Sequence, residues 1–399
     1  MSNPSHDTTS THQKESRLRA ETLLRACVHC GFCNATCPTY ILSGDEREGP
    51  RGRLYLMNDW LTNPDKVADL APLDHCLSCR SCETTCPAGV HYTEILDVVR
   101  EETEKTRNVA ERAMDQLTEA ALGSRRTVNA LMRLARRVRP LVGKPLQRRI
   151  VPAEPELVWP APRHARQVGL LLGCVQPALA PDLDTKAAIV LDRLGISAIP
   201  VGPGCCGALP YHLHNYEKAR TIAQTTMAWD RPEWEGFTST ATGCAAFLRD
   251  YPRLFKDRTD GEPAETFALR VADIATWIDP AGLSALPASQ RRHIAWHAPC
   301  SLQHGLRGHG RVEAILQALG HTLVPIRDSA LCCGSAGPYS LRHPRWAKAL
   351  GQRKWQALTH ADPTEVVSAN IGCLQHLAGF SDRPIRHWVD VVYHDMSAR

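Results

Sequence analysis

The sequence lacks the features of several familiar protein classes. No apolar run approaches the ~18 residues of a membrane-spanning helix, and the polar N-terminus has no apolar secretory segment. No Rossmann glycine fingerprint opens a dinucleotide site, because Cys205 and Cys206 stand in GPGCCG (202–207) where the turn should be. No Ser-His-Asp arrangement and no nucleic-acid-binding signature stands out, and the formal charge of +5 is mild. We expect no transmembrane helix, no signal peptide and no nucleic-acid partner.

Cysteine, by contrast, is abundant, with 16 among 399 residues. The stretch CVHCGFCNATCP at 27–38 recurs at 76–87 as CLSCRSCETTCP. Both have the spacing C-x2-C-x2-C-x3-C-P, typical of ferredoxin loops in which three cysteines bind one 4Fe-4S cluster and the fourth binds the other. We therefore predict a first cluster on Cys27, Cys30, Cys33 and Cys86 and a second on Cys37, Cys76, Cys79 and Cys82. Two structural zinc sites are the alternative, although these usually take ligands as separated C-x2-C pairs.

The segments around these two loops are predicted to be helical. Residues 1–16 are polar and are expected to form a disordered tail, and residues 17–122 an α-helical ferredoxin domain with two clusters. Such helices can keep water from the clusters, which influences their reduction potentials. Arg51 and Arg53 precede a helix between the loops and are predicted to offset the negative charge of a cluster, with a solvated helix end as the alternative.

Residues 123–167 are predicted to be a basic helical and Pro-rich linker. Between Ser124 and Ile150 the chain has nine Lys or Arg and no acidic residue, and its apolar residues lie at helical spacing. This pattern predicts a basic amphipathic helix broken at Pro140. Such a helix fits an anionic membrane surface, an acidic partner or a plain linker with a buried apolar face. We expect a cytoplasmic protein, peripherally attached to the inner membrane.

The remaining eight cysteines lie in an internal repeat over residues 168–290 and 291–399. Each half alternates strand-length apolar runs with helices, which predicts two tandem α/β domains after the helical one, an α+β/α/β multidomain fold. Each cysteine follows a predicted strand end, where parallel sheets place their sites, so we expect all eight to face one cleft. They are Cys174, Cys205, Cys206 and Cys244 in the first half and Cys300, Cys332, Cys333 and Cys373 in the second.

The adjacent cysteines of each half predict a redox or metal site. Two neighbouring thiols add little packing that Val or Ala would not, and Gly207 and Gly334 free the backbone to turn both sulfurs inward. A structural cysteine pocket is the alternative. His297 and His376 each lie three residues from a cysteine and are candidate ligands or proton donors, with a hydrogen-bonded structural role as the alternative.

Taken together, these motifs resemble the iron-sulfur subunits of bacterial glycolate oxidase, in which a ferredoxin module precedes two cysteine-rich CCG domains. The resemblance covers residues 24–395. Its most specific pieces are CVHCGFCNATCPTY, GPRGR, HAPCSLQHG, DSALCCGSAGPY, ANIGC and the RHW at 386–388. The paired loops and CCG blocks are also shared with iron-sulfur subunits of lactate utilisation, anaerobic glycerol-3-phosphate dehydrogenase and heterodisulfide reductase.

The resemblance implies a complex with two FAD-binding partner subunits that oxidises glycolate to glyoxylate, and also D-lactate, and passes electrons to a membrane acceptor such as quinone. This chain would carry electrons on its clusters and would have no catalytic residues, because the FAD belongs to the partners. One departure concerns the cysteine that closes each domain in the heterodisulfide reductase type, which holds non-cubane clusters. Phe247 and His376 stand at those positions here, so no cluster is assigned to either CCG half.

Two other hypotheses remain open at this stage. In one, the CCG cleft is itself a thiol-disulfide or quinone-reducing site, for which the paired cysteines are the supporting feature. In the other, the chain is a zinc-stabilised scaffold that only docks the flavin subunits, and it would be colourless.

Overall fold

A computed structural model describes residues 5–63, 69–104, 107–150, 157–202, 204–256, 261–284 and 291–397, without the side chains of 5–13 and 284. The first part of the chain is helical around a core that includes Leu54, Met57, Ile95 and Leu96. The longest helix between the two cysteine loops has Pro50 in its first turn. A backbone N–H there would have no partner within the helix, so proline costs nothing. The helices are α1 (Ser5–Leu24), α2 (Pro38–Ser43), α3 (Pro50–Thr62), α4 (Ala71–Asp74), α5 (Ser81–Thr85) and α6 (Tyr92–Thr103).

The first helix corrects the expectation of a disordered tail over 1–16. It begins at Ser5, inside the predicted tail, and residues 1–4 lie outside the described part of the chain. Its C-terminal half is anchored in the core by Ala20 and Leu24. Once this anchored half has formed helical turns, each further residue adds a hydrogen bond without a new nucleation cost. Even a polar sequence can therefore continue the helix.

Three helices follow α6, one at the end of the predicted ferredoxin domain and two in the predicted linker. They are α7 (Val109–Leu122), α8 (Arg125–Val138) and α9 (Lys144–Arg149). A 3-10 turn at Arg139–Leu141 separates the last two, at the break predicted from Pro140. No helix among the described residues is long and apolar enough to cross a bilayer.

The two halves of the repeat each contain a parallel sheet with the same order of its first three strands. The sheets run β2-β1-β3 and β5-β4-β6-β7, so β1 and β4 take equivalent central positions. This arrangement confirms the predicted fold class. The strands are β1 (Arg166–Leu171), β2 (Ile196–Val201), β3 (Gly236–Thr238), β4 (His293–His297), β5 (Thr322–Leu323), β6 (Glu365–Ser368) and β7 (Ile385–His387).

Helices connect the strands in both halves. In the first half they are α10 (Gln176–Leu179), α11 (Leu183–Arg193), α12 (Ala208–His212), α13 (Tyr216–Met227), α14 (Thr242–Arg249), α15 (Tyr251–Leu254), α16 (Gly261–Leu269) and α17 (Pro280–Ser284). In the second half they are α18 (Arg311–Ala318), α19 (Tyr339–Arg342), α20 (Pro344–Thr359), α21 (Ile371–Ala378) and α22 (Trp388–Ser397), with a π-helical turn at Ser301–Gly305.

The two halves share one apolar core, in which Leu170 of β1, Ile294 of β4 and Val367 of β6 are all fully buried. Hydrogen bonds also join them where α14 begins. The Thr242 N–H donates to the Ala369 carbonyl at 3.2 Å, and the hydroxyls of Thr242 and Ser301 lie 2.8 Å apart. The halves therefore pack as a continuous unit.

The ferredoxin domain is attached to this unit largely by ion pairs. Arg253 of α15 pairs with Asp97 of α6, and Arg80, in the second cysteine loop, pairs with Asp250. Thr84, also in the second cysteine loop, contacts the second half, because its hydroxyl lies 2.8 Å from Nδ1 of His304. The second loop thus contacts both halves of the repeat.

Replacing Asp97 with alanine should destabilise the protein, because the Arg253 guanidinium, only 18% exposed, loses its nearest carboxylate and keeps the longer contact with Asp250 at 3.8 Å. Breaking such a pair from one side costs about 2–4 kcal/mol. Anaerobic chemical denaturation would measure the change in the free energy of unfolding. The matched control is Glu235→Ala, which removes the exposed pair with Arg166 and should cost less than about 0.5 kcal/mol. Equal losses in the two variants would contradict this account.

Candidate metal centres

The two cysteine loops repeat in backbone as well as in sequence. His29 (φ 54°) and Gly31 (φ 81°) are left-handed in the first loop, and Ser78 (φ 50°) and Arg80 (φ 63°) are left-handed at the equivalent places in the second. Three of these four residues are not glycine, so the conformation is costly and is typical of functional sites. Turns of this kind can direct N–H groups toward an anion such as a thiolate-bound cluster.

The first predicted group of sulfurs lines one cavity. It combines three cysteines of the first loop with the last cysteine of the second, Cys27, Cys30, Cys33 and Cys86, and Cys82 of the second predicted group also lines this cavity. Burial, reinforced by the neighbouring Cys27, Cys86 and Cys30 thiolates, raises the pKa of Cys33 to about 11. Four thiols gathered in this way cannot all ionise unless a cation compensates their charge, so the donor set fits an iron-sulfur cluster.

The second group lines a neighbouring, deeper cavity with the reciprocal pattern. Its members are Cys37, Cys76, Cys79 and Cys82. Burial raises the pKa of both Cys79 and Cys82 well above the ordinary value. Cysteines of both loops thus line each cavity, Cys82 lines both cavities, and these two sets of four remain our prediction for the cluster ligands.

Arg53 is the cation closest to the second group. It is 1% exposed, with Nη1 lying 3.8 Å from the Cys37 sulfur and Nη2 donating to Glu48 Oε2 at 2.8 Å. Burial lowers the pKa of Arg53, but the surrounding negative charges, including Cys76 and Cys37, outweigh it and raise the pKa overall. This contact favours the predicted charge-balancing role over a solvated helix end.

Arg51 lies beside the first loop and is more exposed. Its Nε donates to Glu46 Oε1 at 2.6 Å, and its guanidinium packs so closely on Gly31 that a Cβ there would lie 2.7 Å from Nη1. Both arginines are paired with a carboxylate, but the Arg51 side chain is 34% exposed and the Arg53 side chain is 1% exposed. Because water screens the more exposed charge, Arg51 should influence the first group less than Arg53 influences the second.

The eight other cysteines interact with one another within each half of the repeat. In the first half the Cys174 and Cys206 thiols interact with Cys205, and Cys206 also with Cys244. Those hydrogen bonds from Cys174 and Cys206 lower the pKa of Cys205 to about 3. The expectation that all eight face one cleft stays a prediction.

In the second half, Cys300 and Cys332 have sulfurs 4.0 Å apart, Cys333 adjoins Cys332, and Cys373 adjoins Cys333. This group touches the ferredoxin domain, because Cys79 packs against the same apolar cluster as Cys332 and Cys300. The predicted site residues of the second loop and the second half are therefore brought together.

The glycine after each cysteine pair has the same structural role in both halves. Gly207 (φ 93°) and Gly334 (φ 88°) are left-handed, and their N–H groups donate to the sulfurs of Cys205 at 3.3 Å and Cys332 at 3.5 Å. At Gly334 a Cβ would lie 2.8 Å from the Ala347 carbonyl oxygen. Only glycine fits this turn, which aims both neighbouring sulfurs inward.

The two candidate histidines have different roles. His376 Nε2 lies 2.9 Å from the Ala347 carbonyl, which assigns it a structural hydrogen bond. His297 is 2% exposed, and neither ring nitrogen has a hydrogen-bond partner among the described residues. The ligand atoms of His297, Cys333 and Cys373 all lie within 4.8 Å of one another.

Sequence reasoning missed Lys354, which is 1% exposed and lies near the second-half sulfurs. Its ammonium donates to the carbonyls of Ser329 at 2.8 Å and Asp328 at 3.1 Å. Burial lowers the pKa of Lys354. A signal was present, because Lys354 interrupts an apolar stripe of α20 at a position where Leu350 and Leu358 predict a core residue.

Comparison with known proteins agrees with this arrangement. Residues 23–90 match the 4Fe-4S dicluster domain family, and residues 168–249 and 294–378 match the cysteine-rich domain family. The chain is 40% identical to the glycolate oxidase iron-sulfur subunit of Escherichia coli K12, over 96% of this chain and 97% of that protein. The chain belongs to the glycolate oxidase iron-sulfur subunit family.

More distant relatives support the same architecture. A lactate utilization protein A of Oceanobacillus iheyensis is 24% identical over 53% of this chain and 88% of its own length. The crystal structure of a hypothetical protein from Helicobacter pylori shares the fold, with a TM-score of 0.51, 8% identity, and coverage of 88% of this chain and 68% of that one. As a member of this iron-sulfur subunit family, the chain is an electron-transfer component of an oxidoreductase complex.

Replacing Arg53 with methionine should make the second cluster harder to reduce, because a buried positive charge near its ligands is lost. At an effective dielectric constant of ~20, we expect the reduction potential to fall by about 50–100 mV, equivalent to about 1–2 kcal/mol for one electron. EPR-monitored redox titration would measure the shift. Arg53→Lys keeps the charge and should retain most of the potential, and Arg51→Met should shift the first cluster less. A potential unchanged in Arg53→Met would contradict the role of Arg53.

Proposed function

We propose that this chain is the electron relay of a complex that oxidises glycolate to glyoxylate, and also D-lactate. Oxidation of the hydroxyacid would place two electrons and two protons on FAD in a partner subunit. The reduced flavin would then pass its electrons one at a time to the 4Fe-4S clusters of this chain, and a quinone would finally take up two electrons and two protons. The observation that supports this most directly is the arrangement of the sulfur groups, which extends from an exposed edge to a buried one.

The exposed edge is the first cysteine loop. Cys30 is exposed, and its neighbours Val28 and Phe32 are 72% and 65% exposed, next to a His29 ring stacked on Tyr55 at 4.3 Å between centroids. Apolar side chains displayed around a redox centre are typical of a protein-docking surface. We therefore propose this edge as the entry point, where an FAD-binding subunit docks.

The buried end is the second cysteine loop, which contacts the second half of the repeat. Cys79 packs with Cys300 and Cys332, and the Cys300 charge is one of the influences on the pKa of Cys79, after burial. Electrons that reach the second cluster would leave in this direction. The substrate is assigned from the relationship to the Escherichia coli subunit, since no residue of this chain is proposed to contact glycolate.

Replacing Cys79 with serine should stop electron flow beyond the flavin without stopping glycolate oxidation. In the anaerobic complex we expect glycolate to bleach FAD in both proteins, whereas quinone reduction should fall at least about a hundredfold in Cys79→Ser because a cluster ligand is lost. Stopped-flow absorbance and quinone assays would measure the two steps separately.

The wild-type complex provides the control and tests the substrate. Low-temperature EPR after addition of glycolate should show reduced clusters. Signals that appear with glycerol-3-phosphate but not with glycolate or D-lactate would contradict the proposed substrates, and loss of flavin bleaching in Cys79→Ser would contradict a pure relay.

We further propose that α7 and α8 attach the chain to the anionic inner membrane. Their outward faces leave Met114, Leu117, Leu131 and Leu134 46–64% exposed. The stretch from Ser124 to Ile150, which includes α8, contains nine Lys or Arg and no acidic residue, which complements anionic headgroups. Helices of this type lie in the interface with their apolar side among the acyl chains.

The double variant Leu131→Glu with Leu134→Glu should bind about tenfold more weakly to vesicles of equimolar phosphatidylglycerol and phosphatidylcholine, because two half-exposed leucines can no longer enter the bilayer. Co-sedimentation would measure the bound fraction. The control, Leu269→Glu, changes a leucine that is 86% exposed in α16 and should leave binding unchanged. Equal binding to phosphatidylcholine alone, or loss of the flavin subunits from the double variant, would contradict a lipid surface.

A further inference from the structure

The second half of the repeat contains a buried imidazole that its surroundings leave unsatisfied. His297 ends the central strand β4, is 2% exposed, and has no hydrogen-bond partner on either ring nitrogen among the described residues. A polar group enclosed in this way is unfavourable unless it finds a partner. Two sulfurs lie close to this imidazole. The ligand atoms of His297, Cys333 and Cys373 are all within 4.8 Å of one another.

The spacing suits a single metal ion. A tetrahedral ion with metal–sulfur bonds of about 2.3 Å and a metal–nitrogen bond of about 2.0–2.1 Å holds its ligand atoms roughly 3.5–3.8 Å apart. The three side chains need only a small inward movement to reach that separation. A further thiolate is close, since Cys332 adjoins Cys333 and lies 4.0 Å from Cys300.

The first half of the repeat provides an internal comparison. The position equivalent to His297, at the end of its central strand β1, is Leu171, which is 2% exposed in an apolar cluster. The four cysteines there interact with one another and have no imidazole at that place. The two halves therefore differ by one ligand that is suited to a metal.

We propose that His297, Cys333 and Cys373, together with Cys332 or Cys300, bind a thiophilic transition-metal ion, iron or zinc, and that the first half has no equivalent site. A mixed set of imidazole and thiolate ligands suits either ion. The site would adjoin Cys79 through Cys300 and Cys332. It deepens the proposed relay, because iron here would extend the relay into the second half, whereas zinc would make this a structural site and end the relay at the second cluster.

The test measures metal content rather than activity, so it can succeed or fail independently of the relay. The full-length chain in its native complex is purified anaerobically, passed through a column with a chelator, and analysed for iron, zinc and acid-labile sulfide. We expect one ion per chain beyond the iron of the two ferredoxin-type clusters. In His297→Leu, which copies the residue of the first half, we expect that one ion to be lost and the sulfide content to be unchanged.

Two further variants separate ligation from folding. His376→Leu removes a buried histidine that contacts the Ala347 carbonyl and should keep the extra ion. His297→Cys should also keep the extra ion. X-ray absorption spectra recorded at the metal edge should then lose the scattering contribution of the nitrogen ligand. The proposal is overturned if the wild-type chain has no metal beyond its cluster iron, if the chelator removes the extra ion, or if His297→Leu retains it.

Discussion

Burial of sulfur is the physical constraint on which the rest of this structure depends. Burial raises the pKa of the Cys79 and Cys82 thiols well above the ordinary value. At Cys332 and Cys333 one thiol hydrogen bond lowers the pKa, but a second such bond together with burial outweighs it and raises the pKa. Such groups stay protonated unless positive charge replaces the proton, so a metal that binds them must displace thiol protons. The buried cation Arg53, beside the second cluster loop, meets part of this requirement, and the metal must supply the remainder.

Burial also makes the two cysteine loops unequal. The first cysteine loop stays near the surface, but the second is held by Arg80 to one half of the repeat and by Thr84 to the other. Arg100 of α6 holds the same loop to its own domain by donating to the carbonyls of Leu73 and Cys76, on the backbone that leads into the loop. Two loops with the same cysteine spacing therefore become an outer and an inner site, because only one of them is enclosed by other domains.

The sequence was sufficient to predict the helical domain and the two α/β halves, because spacing and strand periodicity report local geometry. It could not predict that the two halves share one apolar core, since the packing of two sheets involves distant residues such as Leu170 and Val367. Nor could it separate His297 from His376. Both follow the same three-residue spacing, and only the tertiary structure shows that Ala347 satisfies one of them.

The two halves of the repeat share one backbone turn but differ in buried side chains near it. Both halves keep the glycine turn that aims paired sulfurs inward, so this geometry must be needed in each. The second half has buried polar residues, His297 and Lys354, at the positions where the first half has Leu171 and Met227. Burying an imidazole and an ammonium is costly unless a negatively charged or metal-bound centre is present to interact with them. Because this is also the half that touches Cys79, these polar groups and the proposed route for electrons lie in the same half.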